Sequence, residues 1–361
     1  MRLRILARLA IAAILLTSLG FSAGKTRTIT DMLGRKVVVP DPVTRVALLG
    51  GPTGQIAYVL GARDQLCAVT KSLTSSELVR LMDPTVSNLV APRSTSGQVN
   101  LEELIVTNPQ VVIAGDLDGS IVEKKTRIPV AYFRSDMNQS LELIRQEIRF
   151  YASVFDKGPR AEKYIAYLEK TIALVRSRTK DIPHEKRRVV FNGYSSNHLV
   201  TLGGDTFMRQ RMDIAGCHNA ADRILTTGLK EGLHTGLAEI SMEKVLEWDP
   251  DILVIDFGTP EELYGNPKWK SIKAVRTRMV FRQPVGIFIW DRPTAESAVL
   301  HPLWLAKIAY PDRFSDIDMI SEVKKFYREI MSFYLSDEQA RAVLEAKYTV
   351  NFMSGGKGRE K

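Results

Sequence analysis

The sequence predicts an α/β fold made of two similar halves on either side of one long helix. Residues 159–179 form an uninterrupted amphipathic helix, with Leu168 and Ile172 on its apolar face and charged residues on the other. Gly158 and Pro159 mark its start, because proline suits a first turn whose N–H groups have no partner. At about 1.5 Å per residue the helix spans roughly 32 Å. That length can connect two lobes, although a surface helix of a single domain would show the same pattern.

A repeated unit flanks this helix. Residues 99–115 and 240–256 align without a gap. In each, a polar residue (Asn100 or Ser241) opens a short amphipathic helix, an Asn-Pro or Asp-Pro pair ends it, and an apolar run follows as a buried strand. One supersecondary unit therefore occurs once before the long helix and once after it.

The N-terminus has the layout of a secretory signal peptide. Three arginines precede an apolar run at positions 9–16, and small residues follow. The run is short for a membrane span of about 20 residues, so we expect cleavage after Gly20 or Gly24 and export to the periplasm rather than a permanent anchor. We expect a signal peptide at 1–24, a first lobe at 25–157, a connecting helix at 158–180, a second lobe at 181–349 and a flexible tail at 350–361.

Composition excludes several classes of protein. The 361 residues, 45% of them hydrophobic, suffice for two domains with cores. The net charge of +9 falls by three, to +6, without the N-terminal arginines, and the remaining charges are scattered, so we expect no nucleic-acid partner. The two cysteines, Cys67 and Cys217, lie in different halves. We expect buried free thiols, with a bridge between the halves as the alternative.

The first half opens with a βαβ unit. Residues 46–49 read as a strand, Gly61 ends the following helix, and residues 66–70 resume as strand. The loop at 50–53, in which Thr53 can cap the helix, therefore lies at the carboxyl end of a strand, where open α/β sheets bind ligands. It is either a pocket wall or a simple turn, and it has no phosphate-loop motif.

The same alternation continues to the C-terminus. Apolar runs predict further strands, and amphipathic stretches between them predict helices. The strands are expected at 130–133, 188–193 and 279–281 and at the ends of both repeat units; the helices at 206–215, 294–309 and 318–334; and polar loops at 194–198 and 286–293.

Several segments resemble one family along nearly the whole mature chain. NPKWKSIKAVRTRMVFRQP, WDRPTAES, LWLAKIAYPDRF, TDMLGRKVVVPDPVTRVALL, NLEEL and SMEKV are similar, in order and spacing, to the substrate-binding proteins of ABC importers for iron complexes and cobalamin. The resemblance implies two Rossmann-like α/β lobes that hinge little around a single connecting helix, with a ligand cleft between them. It also implies a monomer that delivers its ligand to an ABC permease and its ATPase.

The resemblance further implies two docking residues. Glu102 of NLEEL and Glu243 of SMEKV occupy equivalent places in the two repeat units. A carboxylate on each lobe can pair with arginines of a two-fold permease. The alternative is that both are acids favoured by the helix dipole near a helix start.

The histidines bear on the kind of ligand. All five lie after the long helix, whereas a bare Zn²⁺ or Mn²⁺ site between lobes usually takes imidazole from both sides. We therefore expect a metal chelate such as a ferric siderophore, haem or corrinoid, with no resident metal or cofactor. A small oxyanion such as molybdate, or a free metal, is the alternative.

Candidate ligand-binding residues lie at predicted strand ends. Arginine forks suit oxyanion groups, aromatic rings supply flat contact area, and Tyr132, Tyr194 or His198 could ligate haem iron. A surface or packing role is the alternative for each. The candidates are Thr53, Arg93, Tyr132, Arg134, Tyr194, His198, Trp290 and Arg292.

An enzyme is the alternative from another class. HExxH, GxSxG and CxxC motifs are absent, and the adjacent Cys217-His218 pair would point apart on a strand or helix. We therefore expect no catalytic residues, and a chelatase-like enzyme remains the competing interpretation.

Overall fold

A computed structural model of the chain describes residues 25–51, 54–93, 97–134, 140–225 and 237–350. The predicted signal peptide, Thr53 and residues 351–361 lie outside this set. No helix in the described part of the chain has the length and hydropathy that a membrane span requires.

Within the described ranges, the strands form two parallel sheets and two small antiparallel pairs. They are β1 (Thr26–Thr30), β2 (Lys36–Pro40), β3 (Val46–Leu48), β4 (Leu66–Thr70), β5 (Val90–Arg93), β6 (Val111–Ala114), β7 (Val130–Tyr132), β8 (Val189–Gly193), β9 (Val200–Leu202), β10 (His218–Asn219), β11 (Leu237–Glu239), β12 (Ile252–Ile255) and β13 (Val280–Arg282).

The α-helices cover these sheets. They are α1 (Gln55–Val59), α2 (Lys71–Thr74), α3 (Glu77–Met82), α4 (Leu101–Val106), α5 (Asp116–Lys125), α6 (Leu141–Phe155), α7 (Gly158–Thr179), α8 (Phe207–Ile214), α9 (Met242–Trp248), α10 (Pro260–Tyr264), α11 (Lys273–Arg276), α12 (Ala295–Ala309), α13 (Met319–Phe326) and α14 (Asp337–Leu344).

Each lobe is built on a parallel sheet whose strand order reverses once. The first lobe has the order β5-β4-β3-β6-β7 and the second β10-β8-β12-β13. The chain therefore winds outward in both directions from β3 in the first sheet and from β8 in the second. In such sheets ligands bind outside the carboxyl ends of the two strands where the order reverses. Those strands are β3 and β6 in the first lobe, and β8 and β12 in the second.

The predicted repeat units have the same local structure. α4 leads into β6 and α9 into β12. The Asn100 side chain accepts hydrogen bonds from the backbone N–H groups of Glu102 and Glu103, and Ser241 accepts one from Lys244. Asn108 and Asp249, which precede the two prolines, both have positive φ, of 47° and 37°. A short polar side chain tolerates that conformation, which ends each helix and turns the chain into the buried strand.

The connecting helix α7 begins one residue before the predicted start and ends at the predicted Thr179. Its apolar face, including Leu168 and Ile172, is buried against α6 and α12. The Tyr164 hydroxyl donates to the Ala295 carbonyl at 2.8 Å, which fixes the helix to the second lobe. The amphipathic pattern seen in the sequence is thus the packing face of this helix.

The C-terminal segment returns to the first lobe, which the predicted domain boundaries did not include. After α13 the helix widens into a π-turn at Tyr327–Met331, where the sequence predicted a continuous helix. Thr349 then exchanges hydrogen bonds with Glu77 of α3, at 3.2 Å and 2.8 Å. Val350, predicted as the first residue of a flexible tail, is buried in the core.

Candidate ligand-binding site

The second lobe gathers charged side chains where its strand order reverses. Gly193 and Ile255 are paired at the ends of β8 and β12, so Tyr194 and Asp256 follow at the same edge of the sheet. Asp291 and Arg292 come from the loop after β13, and Arg211 comes from α8. We call Tyr194, Arg211, Asp256, Asp291 and Arg292 the charged cluster.

Hydrogen bonds hold the arginines of this cluster. Arg292 Nη1 donates to Asp291 Oδ2 at 2.6 Å, and its guanidinium carbon lies 6.0 Å from the centre of the Tyr194 ring. Arg211 donates to the carbonyl oxygens of Trp290 at 2.8 Å and Arg292 at 3.1 Å. Arg211 therefore fixes the backbone of the loop that presents Arg292.

Burial and neighbouring charges set the protonation of the cluster. Burial of the Asp256 carboxyl, together with the nearby Asp291 carboxylate, raises the pKa of Asp256 well above its usual range. Burial opposes the Arg292 charge, but Asp291 and Asp256 raise the pKa of Arg292 overall. The two carboxyl groups and the Arg292 guanidinium are therefore electrostatically linked, with Asp291 directly paired to Arg292.

Among the described residues the cluster has one unsatisfied acceptor, Asp291 Oδ1, and one unsatisfied donor, the Tyr194 hydroxyl. The Tyr194 ring is buried, and the hydroxyl has no hydrogen-bond partner among the residues that the structure describes. Burial raises the pKa of Tyr194 well above its usual value, so the hydroxyl stays a donor. A buried donor without a partner costs about 1–3 kcal/mol, which a bound acceptor would recover.

The first-lobe candidates are engaged in contacts within that lobe. Arg93, at the end of β5, forms an ion pair with the buried Asp118 of α5. The Tyr132 hydroxyl donates to Glu123 at 2.8 Å, and the Arg35 guanidinium lies 4.1 Å from its ring centre. Burial raises the pKa of Tyr132 to about 12. Tyr132 is therefore a packed side chain in this conformation.

Arg134 is exposed, just beyond the end of β7. Its backbone N–H lies 3.4 Å from the Met32 sulfur. Thr53 lies outside the described residues. Two first-lobe candidates are therefore cations at strand ends: Arg93, which is paired with Asp118, and Arg134, which is exposed.

Trp290 and His198 do not join the charged cluster. The Trp290 side chain is fully buried in the main core. Its loop folds back because the backbone N–H of Trp290 donates to the Pro284 carbonyl at 3.0 Å. The His198 ring packs edge-on against Trp269, at 5.8 Å between ring centres, in a separate core on the other face of the sheet. Burial lowers the pKa of His198, which favours the neutral ring.

Three members of the charged cluster were missed by the sequence reasoning. Asp256 could have been found, because it directly follows the strand of the second repeat unit. Asp291 is adjacent to a chosen residue. Arg211 lies inside a helix, and no sequence signal distinguishes an inward-facing arginine there from an exposed one.

Among the described residues, the possible metal ligands form no metal site and the two cysteines form no disulfide. In this part of the chain, no group of three or more His, Cys, Asp or Glu side chains is arranged to hold a metal ion. Cys67 and Cys217 are free and buried, as predicted. Burial raises the pKa of both thiols, that of Cys217 to about 12.

Comparison with known proteins assigns the class. Residues 46–284 match the periplasmic binding protein family, so the chain belongs to that family, and the predicted two-lobed α/β fold is confirmed. The molybdate-binding protein MolA of Haemophilus influenzae is 29% identical over 91% of this chain and 98% of its own length.

Solved structures give the same class. A periplasmic solute binding protein from Veillonella parvula superposes with a TM-score of 0.77 at 25% identity, covering 90% of this chain and 98% of its own. Haemophilus influenzae MolA bound to molybdate gives 0.71 at 24% identity, covering 86% of this chain and 99% of its own.

Proposed function

We propose that this protein is the substrate-binding component of an ABC importer and that it captures a compact oxyanion at the charged cluster. The observation that carries the proposal is the partly exposed Arg292 beside the unpartnered Tyr194 hydroxyl, at the edge of the sheet where ligands bind. A guanidinium and a hydroxyl are both donors that suit anionic oxygens.

The burial of the aromatic candidates supports an oxyanion over a large chelate. The sequence favoured a metal chelate because all five histidines follow the long helix, and such a ligand would need flat aromatic walls such as Tyr132, Tyr194 and Trp290. All three rings are buried in the described conformation. In addition, the relative MolA, which matches along almost its whole length, is named as a molybdate-binding protein. On these grounds we rank an oxyanion above a metal chelate.

Calorimetric titration of the purified protein tests the ligand class. We expect saturable one-to-one binding of molybdate or tungstate, and no binding of haem, cobalamin or a ferric hydroxamate. Tight binding of one of those chelates would instead restore the chelate hypothesis and exclude the oxyanion proposal.

Substitution of Arg292 tests the site. Arg292→Gln removes a charge-assisted donor, worth about 1.5–3 kcal/mol, so we expect affinity to fall by roughly ten- to a hundredfold. Arg209→Gln is the matched control, because it removes an exposed arginine from α8 that pairs with Asp222 at 3.2 Å, outside the cluster. Equal affinity of the two variants would place the ligand elsewhere.

We further propose that Glu102 and Glu243 dock the protein on the permease, whose ATPase drives transport into the cell. Both carboxylates are exposed in the first turn of their helices, α4 and α9. Helix starts lie at the carboxyl edge of a parallel sheet, the same edge as the ligand site. Exposed Val106 and Leu246 on these helices add apolar contact area next to each carboxylate.

Charge reversal tests the docking residues. Glu102→Lys together with Glu243→Lys should abolish uptake by cells while leaving ligand affinity unchanged. Glu261→Lys together with Glu338→Lys is the control, because these exposed acids also lie in first helical turns. Normal uptake by cells that carry the Glu102→Lys and Glu243→Lys double variant would contradict the assignment.

A further inference from the structure

A pocket lies away from the charged cluster, at the start of the connecting helix. Its volume is about 400 Å³, which is within the range of small-molecule sites. It is bordered by the chain after α1, by the first turn of α7 and by the π-turn that follows α13. The lining includes Tyr58, Leu60, Gly61, Arg63, Asp64, Met82, Lys157, Arg160, Met331, Ser332 and Phe333.

Three cations and one carboxylate line this pocket. Arg63 and Asp64 are exposed at its mouth, with Arg63 Nε 3.6 Å from Asp64 Oδ1. Lys157 forms no ion pair with any residue that the structure describes. It immediately precedes α7, whose partial positive charge lies at this end. The pocket therefore carries a net charge of about two positive units.

Arg160 forms the fixed cationic wall. Its Nη2 donates to the carbonyl oxygen of Val59 at 3.0 Å and to that of Ile330, and its Nη1 donates to Ser332 Oγ at 3.3 Å. Burial lowers the pKa of Arg160, because it destabilises the charged guanidinium, and a nearby anion would offset this destabilisation. The guanidinium is held in place before any ligand arrives, so little ordering is needed on binding.

The inner wall is apolar. Leu60 is fully buried, Met82 and Met331 are nearly so, and Phe333 is half-buried. Methionine side chains adapt to varied apolar shapes. A ligand that filled this pocket would place an apolar group against them and an anionic group toward the cations.

We propose that this pocket binds a small anion that carries an apolar group, independently of the ligand in the cleft. Because the pocket is bordered by the first lobe, the connecting helix and the C-terminal segment, its occupant contacts all three.

Binding of the anionic dye 1-anilinonaphthalene-8-sulfonate to the full chain tests the proposal. We expect saturable one-to-one binding with increased fluorescence. Arg63→Gln together with Lys157→Gln should weaken dye binding by about tenfold, since two partly exposed ionic contacts are lost. Asp64→Asn should strengthen it, because it removes the one carboxylate. The neutral analogue N-phenyl-1-naphthylamine should respond to neither change.

Two controls keep the test specific. Lys170→Gln together with Arg176→Gln removes the same charge from exposed positions farther along α7, and dye affinity should be unchanged. Arg292→Gln should also leave it unchanged. Equal loss of dye affinity in both double variants, or a loss of dye affinity in Arg292→Gln, would overturn the proposal. The lack of saturable dye binding to the wild-type protein would overturn it as well.

Discussion

Glu296 is a buried acid at the junction of the two lobes. Its Oε2 accepts from the Ile287 N–H at 3.0 Å, its Oε1 accepts from the Tyr327 hydroxyl at 2.6 Å, and its own N–H donates to Gln55 of the first lobe. Burial raises the pKa of Glu296 to about 7, although these hydrogen bonds hold it down. The native structure therefore favours the protonated acid.

This pKa makes the stability of the fold depend on pH. The folded pKa lies above the ordinary Glu value of 4.5, so the folded state binds the proton more tightly than the unfolded chain. Raising the pH from about 4.5 to about 7 therefore lowers the free energy of unfolding, and above 7 the loss is complete. Between pH 5 and pH 8 the Glu296 contribution should fall by about 2–3 kcal/mol.

Glu296→Gln isolates this effect, because the amide resembles the protonated acid and does not titrate. Urea unfolding of both proteins at pH 5, 6, 7 and 8 gives the difference in the free energy of unfolding. We expect the variant to gain about 2–3 kcal/mol relative to the wild type across this range. A difference that stays constant with pH would refute the reasoning, since Glu296 would then titrate alike in both states.

Two further predictions follow from packing and burial. Gly286→Ala should lower the free energy of unfolding by about 1–3 kcal/mol, because a Cβ there would overlap the Glu296 carboxylate. Gly265→Ala is the control, since the atom nearest to a Cβ there would be 3.7 Å away, and this variant should cost little stability in a thermal melt. Cys67 and Cys217 should resist iodoacetamide in the native protein and react fully in denaturant; rapid native labelling would contradict their burial.

Local signals in the sequence predicted the framework well. The apolar periodicity and the Gly158-Pro159 start located α7 to within one residue, and the Asn-Pro and Asp-Pro pairs located the repeat units. These features depend on short-range interactions, namely capping, positive φ and a single buried face. For that reason they can be read without knowing the tertiary structure.

The site was predicted less completely, because it depends on how loops fold back. Tyr194 follows the end of β8 as expected, whereas Arg292 lies in the loop after β13, and the expected wall residue Trp290 turned inward when this loop closed on Pro284. Arg211 reaches the cluster from inside α8 through long-range packing. The crossing of the C-terminal segment to Glu77 likewise pairs residues far apart in the sequence.

That crossing means that the chain connects the lobes twice. α7 alone would act as a single torsional axis, about which one lobe could rotate relative to the other. The segment that ends at Thr349 and Val350 adds a second tether at a different point, so rotation about α7 must stretch or slide it. Two tethers restrict the lobes to small relative displacements. A ligand then meets a cleft whose shape is already set, and little of its binding free energy is spent on closing the lobes.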